Sequence, residues 1–122
     1  MPENEFSASV RQQDGVPVID MKGDVNSFSE PALNAAFAQA RNTNPSTVLL
    51  NFRGVTYMNS TGIALVVALL AQARKVRMQL LVCGLSEHYR HIFDITRLAD
   101  FMSIYEDETS ALATATAPVT DR

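Results

Sequence analysis

The segment Tyr57-Met58-Asn59-Ser60-Thr61-Gly62-Ile63 sets two adjacent hydroxyls between an amide and a glycine. It falls where a loop after an apolar run enters a helix. Ser60 or Thr61 can cap that helix by accepting a hydrogen bond from a backbone N–H. Gly62 permits close approach by another backbone. A phosphate on Ser60 would bring about −1.5 to −2 charges and three strong acceptors to this spot. The unpaired N–H groups and positive end of a helix accommodate such an anion, so the domain need not unfold. A partner packed dry over the helix start would instead face a buried, badly paired dianion. Mispairing one buried charge at an interface costs about 2–5 kcal/mol. That is roughly 30-fold to several-thousand-fold in affinity, enough for a switch. From local sequence alone, the plainer reading of Ser60 as a simple N-cap is favoured.

Other residues with chemistry are few. His88 and His91 are three apart on an expected helix and could share a face. No cysteine or acidic cluster completes a zinc site around them, so surface histidines and no metal are expected. Cys83 lies in an apolar run and reads as a small hydrophobe rather than a nucleophile. As the one cysteine, it leaves no intramolecular disulfide to form. No Walker, dinucleotide, G-x-S-x-G or Ser/His/Asp pattern is present, so no enzyme and no cofactor are expected.

The elements that must position Ser60 follow from periodicity. Phe6–Arg11 and Val16–Met21 flank Gln13-Asp14-Gly15 and read as a hairpin, with Pro17 at a strand edge or start. A Gly23-Asp24 loop follows. Ser29-Glu30-Pro31 predicts a helix start capped by Ser29, with Leu33, Ala36, Phe37 and Ala40 on one face. Val48–Phe52 is of strand length and apolar enough to be central. Helix 63–75 carries Ile63, Val66, Val67 and Leu70 on one face, with Arg74, Lys75 and Arg77 at its C-terminal end. Leu80–Cys83 is a second buried strand, closed by Gly84. Ser86 caps a helix bearing Tyr89, Ile92 and Phe93; Phe101–Tyr105 is a last strand; Asp107 caps a final helix containing Leu112. The order β-β-α-β-α-β-α-β-α predicts an α/β domain with a mixed sheet of about five strands and about four α-helices. The C-terminal ends of such strands are where ligands and partners bind.

A chain of 122 residues fits one domain, expected over 1–112, with a flexible small-residue tail over 113–122. Composition is that of a folded core, with 47% hydrophobic and 19% charged residues. A net charge of −3 with no Lys/Arg-rich run argues against nucleic acid or an anionic membrane as partner. No signal peptide and no stretch of spanning length is seen, so a cytoplasmic protein is expected.

In this β/α order, five segments resemble the STAS domain of bacterial anti-sigma factor antagonists. Gly23-Asp24-Val25 resembles the family's turn before the first helix, and Val48–Phe52 its central strand. Asn59-Ser60-Thr61-Gly62-Ile63 resembles its phosphorylation motif. Leu81-Val82-Cys83-Gly84-Leu85 resembles its next strand and turn, and Phe93–Leu98 a later segment. Together they cover about residues 5–112.

The resemblance implies that Ser60 is phosphorylated by a partner that is both anti-sigma factor and GHKL-type serine kinase. The unphosphorylated chain would sequester that partner, and a PP2C-type phosphatase would reset it. Asp24, Asn26, Met58, Asn59, Ser60, Thr61 and Gly62 would form the partner-binding surface, with Met58 open to a core reading as well. The ATP belongs to the kinase. Asn59 and Asn26 stand where the family often has Asp, and Arg97 where it often has Gly. The alternative is an unphosphorylated STAS accessory subunit of a membrane lipid or anion transporter.

Overall fold

The computed structural model describes residues 5–116. Strands β1 (Ser7–Gln13), β2 (Val16–Val25), β3 (Thr47–Met58), β4 (Gln79–Cys83) and β5 (Ser103–Tyr105) form one sheet in sequence order. Helices α1 (Glu30–Arg41), α2 (Ser60–Lys75), α3 (Glu87–Ile95) and α4 (Glu108–Thr116) complete the fold. The pair β1–β2 is antiparallel, and every later pair is parallel. The α/β class and mixed five-stranded sheet expected from periodicity are what the chain forms.

Strand order explains the layering. Crossovers between parallel strands are right-handed almost without exception. Here β2, β3, β4 and β5 advance in one direction, so α1, α2 and α3 all fall on the same side. Their buried residues Leu33, Phe37, Val66, Leu69, Tyr89 and Phe93 pack with Ile19, Met21, Val48, Leu50, Phe52 and Val82 of the sheet. Phe93 meets Phe52 edge-on, with ring centroids 6.3 Å apart. Among the described residues, the other side of the sheet has only α4. Ala111 and Leu112 cover Val16, Val18, Leu49, Leu81 and Cys83 there.

A polar network holds α4 in place. The Arg11 guanidinium donates to both carboxylates of a pair, Asp20 on β2 and Glu108 on α4. Asn51 Nδ2 donates to Asp20 Oδ1 at 2.8 Å. The helix itself starts as expected, with Asp107 Oδ1 accepting from Ser110 N–H at 2.8 Å. It runs to Thr116, past residue 112 where the sequence reading ends the domain. The rest of the expected tail, 117–122, lies outside the described residues.

Several local expectations are corrected. Gly23-Asp24 is not a loop: β2 runs through it to Val25, with register shifts at Asp20/Lys22 and Gly23/Asp24. Gly23 supplies φ +91°, which the irregularity needs. Ser29 occupies the position before α1, but its side chain makes no cap bond there. It is buried, accepting from Asn26 N–H at 2.9 Å and donating to the Asp24 carbonyl at 3.1 Å. Val67 is 37% exposed; Leu69 and Ala73 are buried with Val66 and Leu70, so the core stripe is rotated from the expected one. Phe101 lies outside the short β5 and is exposed.

Arg97 takes φ +68°, the left-handed conformation that glycine favours. The loop keeps a glycine-type shape, and the arginine bears the strain. Arg97→Gly should therefore stabilise the domain by about 0.5–1 kcal/mol, measured as a shift of the urea midpoint at constant m-value. The adjacent Arg11 guanidinium, together with Asn51, holds the Asp20 carboxyl below its ordinary carboxylate value. A depressed folded pKa means that this stability is present above the unfolded pKa and lost as pH falls through the folded one. Asp20→Asn should thus flatten the loss of stability below about pH 4, read from urea midpoints across an acid pH series.

Candidate functional site

Ser60 opens α2, the helix after β3. Parallel pairing sets Asp24 opposite Tyr57 and Val25 opposite Met58, so β2 and β3 end together. The chain leaves β3 through Asn59, whose N–H donates to the Val25 carbonyl at 3.3 Å. Asn59, and not Ser60 or Thr61, is the N-cap. Its φ of −90° and ψ of −179° are extended, and its Oδ1 accepts from Gly62 N–H at 2.8 Å. Ser60 and Thr61 are then the first two helical residues, and both are exposed. The Ser60 hydroxyl has no hydrogen-bond partner among the described residues. Three neighbouring residue types, Asn, Ser and Thr, all make good caps, so composition could not choose between them.

Gly62 is buried for a reason internal to the chain. A β-carbon there would lie 2.1 Å from the Val25 carbonyl oxygen. The backbone it lets approach is that of β2, not that of another molecule. Met58 is 3% exposed and sits in the core, so its side chain is not a contact residue. Its backbone is clamped by α3: Met58 N–H donates to Tyr89 Oη at 2.8 Å, and Tyr89 O–H donates to the Met58 carbonyl at 3.2 Å. These placements remove Met58 and Gly62 from the expected contact surface and make them its support.

Asp24 and Asn26 are half-buried on the same rim. Thr56 Oγ1 donates to Asp24 Oδ1 at 2.7 Å. Asn26 Oδ1 accepts from Phe28 N–H at 2.9 Å and caps a 3-10 turn over Ser27–Ser29. Two exposed aromatics that sequence reasoning missed lie on the turn and on the neighbouring strand: Phe28 on the turn is 89% exposed, and Tyr57 near the end of β3 is 54% exposed. Phe28 does carry a signal, because it falls outside the Leu33-Ala36-Phe37-Ala40 stripe and follows a capping asparagine. Beside Phe28 a groove of about 500 Å3 is lined by Glu5, Phe6, Asp24, Asn26, Pro31 and Ala32.

The remaining candidates lie elsewhere. His88 and His91 are exposed on α3, with His88 edge-on to Tyr89 at 4.9 Å between centroids. Cys83 is buried beneath α4, and burial pushes its thiol up to about 11, away from thiolate chemistry.

The geometry thus leaves two adjacent exposed hydroxyls, Ser60 and Thr61, without a hydrogen-bond partner among the described residues, at the start of α2 on the C-terminal rim of the sheet. The STAS domain family model matches residues 7–111. The chain belongs to the STAS domain family. It is 31% identical over 104 residues to BtrV of Bordetella bronchiseptica, described as a candidate anti-sigma factor antagonist, covering 85% of this chain and 87% of that one. It is 31% identical over 88 residues to the anti-sigma-B factor antagonist of Staphylococcus epidermidis, covering 72% of this chain and 82% of that one. The crystal structure of an anti-sigma factor antagonist from Mycobacterium paratuberculosis superposes with a TM-score of 0.79 at 20% identity, covering 93% and 96%. At that identity the superposition speaks for the shared STAS fold.

The Gly62 contact gives a test of how this STAS domain builds its rim. Gly62→Ala puts a methyl group into the Val25 carbonyl, so α2 must move away from β2. A loss of at least about 2 kcal/mol is expected, measured by urea unfolding.

Proposed function

We propose that this STAS domain is an anti-sigma factor antagonist that binds a GHKL-type anti-sigma factor and serine kinase, and that phosphorylation of Ser60 releases it. The observation that carries this reading is the exposed Ser60 hydroxyl, left free because Asn59 does the capping. A kinase can reach it without opening the core. The Ser60 oxygen attacks the γ-phosphorus of the kinase-bound ATP, its proton passes to a base of the kinase, and ADP leaves. The phosphate formed lies at the first turn of a 16-residue helix, whose unpaired N–H groups and dipole favour an anion. The folded state therefore tolerates the modification. The docked state does not, because a dianion enters a surface that the partner must dry.

Two relatives named for antagonising anti-sigma factors support the partner class. The substitutions Asn26 and Asn59 fit the reading as well. Each uses its Oδ1 as a cap acceptor, a bond that an aspartate makes equally. A PP2C-type phosphatase would complete the cycle by hydrolysing the exposed phosphoserine.

The test is intact mass after incubation with ATP and each purified GHKL-type serine kinase of the source genome. One of them should add a single phosphoryl group, and Ser60→Ala should abolish the gain. Ser60→Asp should weaken binding of that kinase by about 30-fold or more with an unchanged circular dichroism spectrum. A phosphoryl group that persists in Ser60→Ala would place the acceptor elsewhere and refute the assignment.

A further inference from the structure

Phe28 is held out rather than left out. Three hydrogen bonds shape its turn: Phe28 N–H to Asn26 Oδ1, Asn26 N–H to Ser29 Oγ, and Ser29 O–H to the Asp24 carbonyl. Reciprocal capping of this kind fixes a turn tightly. The result is a large apolar side chain, 89% exposed, on a backbone with little freedom. A rigid exposed aromatic costs little entropy to bury and is the kind of residue that dominates binding energy.

The groove beside it has a definite chemistry. Phe6, Pro31 and Ala32 give it apolar walls, and Glu5 and Asp24 bring carboxylates. Neither carboxylate is in an ion pair among the described residues. Asp24 shares Oδ1 with the Thr56 hydroxyl and keeps Oδ2 for another donor. Apolar walls with acidic groups suit a long side chain with an aliphatic stem and a cationic head, an arginine or a lysine.

We infer that Phe28 is the anchor of the partner interface, seated in an apolar pocket of the anti-sigma kinase, while the groove beside it takes an arginine or lysine from the rim of that pocket. The inference rests on the Ser60 reading for the partner's class. It adds which residues discriminate one such kinase from another. Ser60 reports modification; Phe28 and the groove carry recognition. A kinase lacking the pocket, or with an acidic rim to it, is rejected.

The experiment uses the full chain and the kinase that modifies Ser60 in the assay above, titrated by calorimetry without ATP. Phe28→Ala should weaken binding at least about 20-fold, and Phe28→Leu should recover part of the loss. Because Phe28 buries almost nothing within the domain, both variants should unfold at the wild-type urea concentration. Wild-type affinity should fall with added salt, and Glu5→Gln should reduce that salt dependence. A loss under about fivefold in Phe28→Ala, with Ser60 still phosphorylated in the wild type, overturns the anchor while the Ser60 reading stands. An unchanged salt slope in Glu5→Gln overturns the cationic occupant of the groove. If no kinase modifies Ser60, the reading beneath it fails and the inference with it.

Discussion

At the start of α2 the helix backbone lies against the Val25 carbonyl, at a spacing where a β-carbon on Gly62 would reach 2.1 Å from the oxygen. The same carbonyl receives the Asn59 N–H at 3.3 Å. One oxygen, at the last residue of β2, therefore sets where β3 ends and where α2 begins. Asn26 is the next residue along the chain, and its cap builds the turn that carries Phe28. Any side chain at position 62 would push α2 off β2, and α2 cannot shift along β2 without losing the bond from Asn59 N–H to the Val25 carbonyl.

Division of labour between neighbours makes the hydroxyl available. In a helix capped by serine, the side-chain oxygen is turned back onto the first-turn N–H groups. Here Asn59 takes that place through its Oδ1 to Gly62 N–H. Ser60 moves one position into the helix, where its side chain faces water. The asparagines at 26 and 59 lack the negative charge of an aspartate, yet both act as acceptors only. The rim loses two charges relative to an Asp-bearing version and keeps its shape.

Hydrophobic periodicity made the larger architecture legible: strands at Val48–Phe52 and Leu80–Cys83, and helices around Leu33–Ala40 and Tyr89–Phe93, need only apolar spacing to be seen. Polar and glycine positions were harder to read. Gly23-Asp24 looks like a turn, because glycine with positive φ usually makes one. Parallel pairing to β3 instead carries β2 on through a register shift. The cap at 59–61 could not be chosen from residue type. Met58 reads equally as contact or core from its type; 3% exposure puts its side chain in the core, and Tyr89, 31 residues away, bonds its backbone N–H and carbonyl. Arg97 shows the converse: glycine's backbone shape without glycine, which no propensity scale anticipates.

Rigidity below the rim bears on why charge at its surface could act so selectively. Met58 is anchored in the core and held to α3 by two hydrogen bonds with Tyr89, and Ser29 is buried under the Phe28 turn with its hydroxyl both donating and accepting. Neither support includes the Ser60 side chain. A charge added there meets N–H groups already pointing outward, so relaxation inside the domain has little to gain. The cost then falls on whatever covers the rim, since a fixed surface cannot rearrange to share the mismatch. A looser rim would spread the same charge over many small adjustments and respond weakly. The glycine contact and the Tyr89 clamp, which touch no partner themselves, are thus what would let a small modification have a large effect on docking.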